Sequence, residues 1–137
     1  MSTRRGLPLA LYVHLPWCVS KCPDRDFNPH AMPAAGIPHG AYLGALLDDL
    51  GFAAGELAGR QVSSVFFGGG TPSLFAADAI AAVLRRAREL LPVSDDVEVT
   101  LEANPGTVEH GAFAEYRGAG VNRVSLGAQS FDDRHLE

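Results

Sequence analysis

Two cysteines, Cys18 and Cys22, are the chain's only thiols, and three residues separate them. Thiolates bind soft metals and iron–sulfur clusters, and this spacing in a loop lets two sulfurs reach one centre. Two cysteines by themselves also suit ordinary buried thiols. His14 and His30 flank the loop and are either further ligands or hydrogen-bonded surface histidines. A second site of interest is the run Gly68-Gly69-Gly70-Thr71-Pro72-Ser73. Glycines between a strand and a helix allow close approach to the backbone, by a ligand or within a tight turn. Thr71 and Ser73 break a dinucleotide fingerprint, and no Gly-Lys-Ser/Thr follows to make a P-loop. Glu102 and Gln129 each fall at the carboxyl end of a strand, where parallel sheets bind ligands. Either is also an ordinary polar residue at a loop edge. Asp24, Asp26, Asp132 and Asp133 read as solvated loop and helix-start charges.

The elements that must position these groups repeat. Leu9 to His14 is apolar and β-prone, and the cysteine loop and a Pro/Gly-rich run, Met32 to Pro38, follow it. A loop of that length is functional or disordered. Leu43, Leu46, Leu47, Leu50 and Leu57 share one face of a helix from about His39 to Ala58, which Gly59 stops. Val62 to Phe67 is a second strand leading into the glycines. Ala76 to Leu91 forms a second helix, with Ile80, Val83, Leu84, Ala87 and Leu91 inward and Pro92 closing it. Val97 to Glu102 alternates as a third strand with one polar face. Thr107 caps a short helix that uses Phe113 and Tyr116. Asn122 to Gly127 is the fourth strand, and Ser130 with Asp133 marks another helix start.

This β-loop-α-β-α-β-α-β order, recurring at roughly 30 residues, predicts an α/β fold with a parallel sheet and right-handed crossovers. The polar face of the third strand predicts a wet, barrel-like interior. Because the sequence stops as a helix begins, the fourth strand's edge is expected to be uncovered, as in the first part of a larger fold.

Composition excludes several classes. The chain has 137 residues, 47% hydrophobic and 20% charged, which suits a globular core. Sixteen acidic and eleven basic residues give a formal charge of -5, with no clustered basic footprint for nucleic acid. Met1 to Gly6 carries arginines but no apolar run, and no stretch approaches the ~20 apolar residues of a membrane span. A cytoplasmic location with reduced thiols is therefore expected.

Four stretches together resemble the N-terminal part of a radical S-adenosylmethionine (SAM) protein, in the HemW group related to oxygen-independent coproporphyrinogen III oxidase. They are Leu11-Tyr12-Val13-His14-Leu15-Pro16-Trp17-Cys18, Phe66 to Ser73, Leu101-Glu102-Ala103-Asn104-Pro105-Gly106-Thr107, and Gly120 to Phe131. The resemblance runs from Pro8 to the end. It implies residues 1–7 as an extension and residues 8–137 as part of a radical SAM core, the first four or so strands of a partial (β/α)6 TIM-like barrel. Members are more than twice this long.

The resemblance also implies cofactors and sites. Such proteins hold a 4Fe-4S cluster on Cys-x-x-x-Cys-x-x-Cys and leave one iron open to SAM; Cys18 and Cys22 match the first two positions. Gly69, Gly70 and Thr71 match the glycine motif that meets the methionine part of SAM. Tyr12, Glu102 and Gln129 match SAM-contacting positions in the oxidases. Reduction of SAM at the cluster gives methionine and a 5′-deoxyadenosyl radical. HemW-type proteins are haem chaperones for respiratory proteins, whereas the oxidases decarboxylate coproporphyrinogen III in porphyrin biosynthesis. Asp26, directly after the third ligand position, favours the chaperone branch over the oxidase alternative. Haem is a further implied ligand, though no axial ligand is identifiable.

One position departs from the pattern. The third ligand position is Arg25, whose guanidinium offers no lone pair and stays cationic to about pH 12 and beyond. The expectation is a haem-chaperone relative with impaired cluster chemistry, or a cluster-less binding remnant.

Overall fold

In the computed structural model, the described residues are 7–18, 30–31, 33–57, 59–104 and 110–135. Cys22, Asp24, Arg25, Asp26 and Thr107 lie outside them.

Strand β1 (Leu9–Leu15) begins the sheet. A short ladder follows, made of β2 (Trp17–Cys18) and β3 (His30–Ala31), then helix α1 (His39–Glu56). Strand β4 (Val62–Gly69) leads through a 3-10 turn, Pro72–Leu74, into α2 (Ala77–Leu90). Strand β5 (Val93–Ala103), helix α3 (His110–Ala119), strand β6 (Arg123–Leu126) and a 3-10 turn, Asp133–His135, complete the order.

The main sheet runs β1-β4-β5-β6, and every pairing is parallel. Spatial order thus follows chain order, and α1 packs on α2 as α2 packs on α3. Right-handed crossovers applied in one direction put all three helices on the same side, which is how a barrel wall is wound.

Alternation along the strands separates the two faces. Val13, Leu15, Val65, Phe67, Val97, Val99 and Leu101 turn to the helices and are buried there with Ala54, Ile80, Val83, Leu84 and Tyr116. The other face carries Tyr12, Phe66, Thr100 and Arg123 level with one another.

Several sequence expectations need correction. The third strand starts at Val93, four residues early, because Ser94-Asp95-Asp96 is the irregular part of the strand; the β4–β5 register shifts between Val62 and Ser64. Thr100, expected on a wet face, is 1% exposed between Phe66 and Arg123 on the neighbouring strands. Among the described residues, no α-helix follows Ser130. Its hydroxyl accepts the Asp132 N–H at 3.0 Å, and only the 3-10 turn forms. The loop after β1 is not wholly irregular, since β2 and β3 pair within it.

Candidate functional site

The β1–β4 pairing sets the position of the glycines. Gly69 has φ +116, and Gly70 lies so close to the chain after β1 that a Cβ there would sit 2.5 Å from the Trp17 carbonyl oxygen. Two hydrogen bonds fix this approach: Gly70 N–H donates to the Leu15 carbonyl at 2.8 Å, and Thr71 N–H to that of Trp17 at 2.7 Å. The glycines therefore dock the entrance of the cysteine loop against the end of β4. The Gly70 and Thr71 amides are not an anion cradle, because both are already committed to the chain's own carbonyls.

Beside this seam a cleft of about 210 Å³ opens at the carboxyl ends of β4, β5 and β6. Gly69, Gly70, Thr71, Glu102 and Gln129 all line it. Asn104 and Ser125 line it too, and neither stood out as a site residue in sequence. Asn104 reads as part of an Asn-Pro-Gly turn, yet it donates Nδ2–H to Thr71 Oγ1 at 3.2 Å and bridges the ends of β4 and β5. Ser125 pairs with Glu102 across β5 and β6, and that register is its only signal.

Tyr12 stands next to the cleft rather than in its wall. A Cβ on Gly68 would meet Tyr12 Cε2 at 3.0 Å and Glu102 Oε2 at 3.2 Å, so Gly68 is the gap across which phenol and carboxylate face each other. Partial burial, and secondly the Glu102 charge, push the Tyr12 phenol above its ordinary value. The Tyr12 hydroxyl lies 3.0 Å from His14 Nδ1, and His14 Nε2 is buried without a hydrogen-bond partner. The lining thus combines one carboxylate with neutral amide and hydroxyl groups. Such a set suits a ligand that carries a positive charge.

Comparison with known proteins follows the same lines. The profile of the Radical SAM superfamily matches residues 34–137. The chain belongs to the Radical SAM superfamily. It is 49% identical over 130 residues to heme chaperone HemW of Escherichia coli strain K12, covering 95% of this chain and 34% of that protein. It is 44% identical over 132 residues to the mitochondrial radical S-adenosyl methionine domain-containing protein 1 of Bos taurus, covering 93% of this chain and 28% of that protein. Among solved structures it is similar to coproporphyrinogen III oxidase (HemN) from Escherichia coli, described as a Radical SAM enzyme. That match has a TM-score of 0.83 and 32% identity, over 95% of this chain and 30% of the oxidase. The chain spans about a third of the length of the curated relatives it matches.

Membership in the radical SAM superfamily raises the question of which cofactors these residues suit. The cleft fits the cationic ligand SAM: its charged group is a carboxylate, and the glycine seam leaves it open at the strand ends. The cluster donor set does not fit. Cys18 and Cys22 supply two of the three thiolates of the family pattern, and Arg25, at the third position, cannot ligate iron. His30 is no replacement. It is level with Trp17, while Cys18 is level with Ala31, and neighbouring strand residues face opposite sides. Among the described residues no three His, Cys, Asp or Glu side chains gather in a metal-binding group. No described helix is long and apolar enough to cross a membrane.

Proposed function

We propose that this chain is the SAM-binding part of a HemW-like haem chaperone in which cluster assembly is impaired. The observation that supports it is the convergence of Gly69, Gly70, Thr71, Glu102 and Gln129 on one cleft at the strand ends. In this reading the Glu102 carboxylate faces a cationic group of SAM, either its ammonium or its sulfonium. Tyr12, across the Gly68 gap, holds the outer side of the ligand. The cleft is smaller than a pocket for a whole cofactor, so it takes one end of SAM and leaves the rest over the open sheet face. Cys18 and Cys22 are the thiolates a cluster would use, and Arg25 withholds the third.

Haem or a porphyrin, and the respiratory proteins that accept haem, are the partners this relationship suggests, with the cytoplasm as the place of action. The HemN likeness favours a second reading, a remnant of coproporphyrinogen III oxidase. The higher identity to HemW, 49% against 32%, sets it behind the first.

The test is equilibrium dialysis of labelled SAM against the wild-type chain and Glu102→Gln. Removing the charge while keeping the shape is expected to weaken binding about tenfold or more, as for a hydrogen bond to a charged group. No saturable binding by the wild type, or equal affinity in both forms, overturns the assignment.

A further inference from the structure

Thr71 has little freedom in how it meets the cleft. Its N–H donates to the Trp17 carbonyl at 2.7 Å, and its own carbonyl accepts the Leu74 N–H at 3.0 Å. The residue is 3% exposed and lines the cleft, so its hydroxyl is the polar group it can offer a ligand. Asn104 fixes what that hydroxyl can do. A threonine oxygen carries one proton and two lone pairs, and the Asn104 Nδ2–H occupies a lone pair at 3.2 Å. A donor amide cannot also take the threonine proton, which is left to point elsewhere. Glu102 precedes Asn104 by two residues where β5 ends, a spacing of about 7 Å along the chain, and both line the cleft. The cleft thus offers a buried hydroxyl donor together with a carboxylate acceptor, and among the described residues no lysine or arginine lines it.

We propose that Asn104 is a positioning residue for the ligand: by donating to Thr71 it turns the threonine hydroxyl into a donor toward the cleft, which then selects a carboxylate and an ammonium carried on one carbon. The inference rests on the SAM reading above and assigns Glu102 the ammonium rather than the sulfonium. A ligand whose carboxylate accepts from Thr71 brings the ammonium of the same carbon to the neighbouring Glu102. The sulfonium, two methylenes further on, then lies toward the open sheet face. Backbone amides give the carboxylate no alternative at this seam, because those of Gly70 and Thr71 are bonded to Leu15 and Trp17. With those amides occupied and no cation on the wall, the direction of one hydroxyl decides whether a carboxylate is accepted. Turned the other way, the threonine oxygen would present lone pairs to the carboxylate and repel it.

Two labelled ligands separate this role from a structural one: SAM, and decarboxylated SAM, which keeps the ammonium and sulfonium and lacks only the carboxylate. Equilibrium dialysis of the wild-type chain is expected to show saturable binding of both. Asn104→Ala is expected to weaken SAM about fivefold and to leave decarboxylated SAM unchanged. Thr71→Val, which keeps the shape and removes the hydroxyl, is expected to show the same split, and in that background Asn104→Ala weakens SAM no further. Asn104→Asp sharpens the contrast, since a carboxylate takes the threonine proton for itself. SAM is then weakened more than by alanine, while the dicationic decarboxylated ligand binds at least as tightly as to the wild type. Glu102→Gln weakens both ligands alike. An unchanged SAM affinity in Asn104→Ala, an equal loss of both ligands, or additive losses with Thr71→Val would each overturn the proposal. In those cases a response to Glu102→Gln leaves the SAM reading intact. No saturable binding of either ligand by the wild type overturns that reading, and the role of Asn104 with it.

Discussion

Gly70 has no room for a side chain. A Cβ there would lie 2.5 Å from the Trp17 carbonyl oxygen and 2.6 Å from that of Pro16, and both obstacles are backbone. Gly70→Ala must therefore push the chain after β1 away from β4. The expected cost is about 1–3 kcal/mol, as for other overpacked sites, read as a lower urea midpoint with unchanged slope. An unchanged midpoint would mean that the Pro16–Trp17 segment yields freely. The triple glycine shows how much a sequence can say at this scale. Its composition announces close backbone approach, and that holds. Composition does not reveal that the approaching group is the protein's own cysteine-loop entrance. Asn104 and Ser125 escaped notice for a similar reason, since their roles come from neighbours distant in sequence.

Among the elements, α3 packs on α2, and one of its hydroxyls reaches further. The Tyr116 hydroxyl bonds to the carbonyl oxygens of Ser73 at 2.8 Å and Phe75 at 2.6 Å, reaching from α3 to the turn between β4 and α2. The use of Tyr116 by a short helix was legible in the sequence, and it is buried in the core; the hydroxyl's partners, some forty residues earlier, were not. Burial, and secondly the Glu115 charge, raise the Tyr116 phenol above its ordinary value of 10.0. A raised folded-state value means the protonated phenol is the stabilising form. Its contribution is full below the unfolded value and is lost as pH rises through the folded one, because the unfolded chain releases the proton first. Tyr116→Phe is expected to lower stability by about 1–2 kcal/mol at neutral pH. It should also flatten the decline in stability between about pH 9 and pH 11, leaving the part due to Tyr12 and Tyr42, which burial also raises. Denaturant midpoints across that range decide it; parallel wild-type and variant curves would show that Tyr116 does not titrate with unfolding.

For the molecule as a whole, the βα order gave the parallel sheet and its barrel-like winding, because hydrophobic period and turn residues agree along most of the chain. The same order could not give the inner layer of Tyr12, Phe66, Thr100 and Arg123, which depends on register. It did give the conflict that governs chemistry. A scaffold similar to HemN at TM-score 0.83 carries a cleft lined by Gly69, Gly70, Thr71, Glu102 and Gln129, but an arginine stands where the resemblance implies a third thiolate. If the scaffold around Cys18 is otherwise sound, a single change should restore what is missing. Arg25→Cys, reconstituted anaerobically with iron and sulfide, is expected to hold about four irons per chain, and the wild type little or none. Two thiolates and a fixed positive charge leave a cubane short of a ligand and electrostatically disfavour a metal cation. Equal, low iron in both forms would place the defect in the surrounding scaffold instead. About four irons in the wild type would mean that another side chain completes the site, and His30 would not be the first to replace, since it faces away from Cys18 across the β2–β3 ladder. SAM binding measured on the same two samples separates the cofactors: retention in an iron-free wild type would show that the cleft outlasts the cluster.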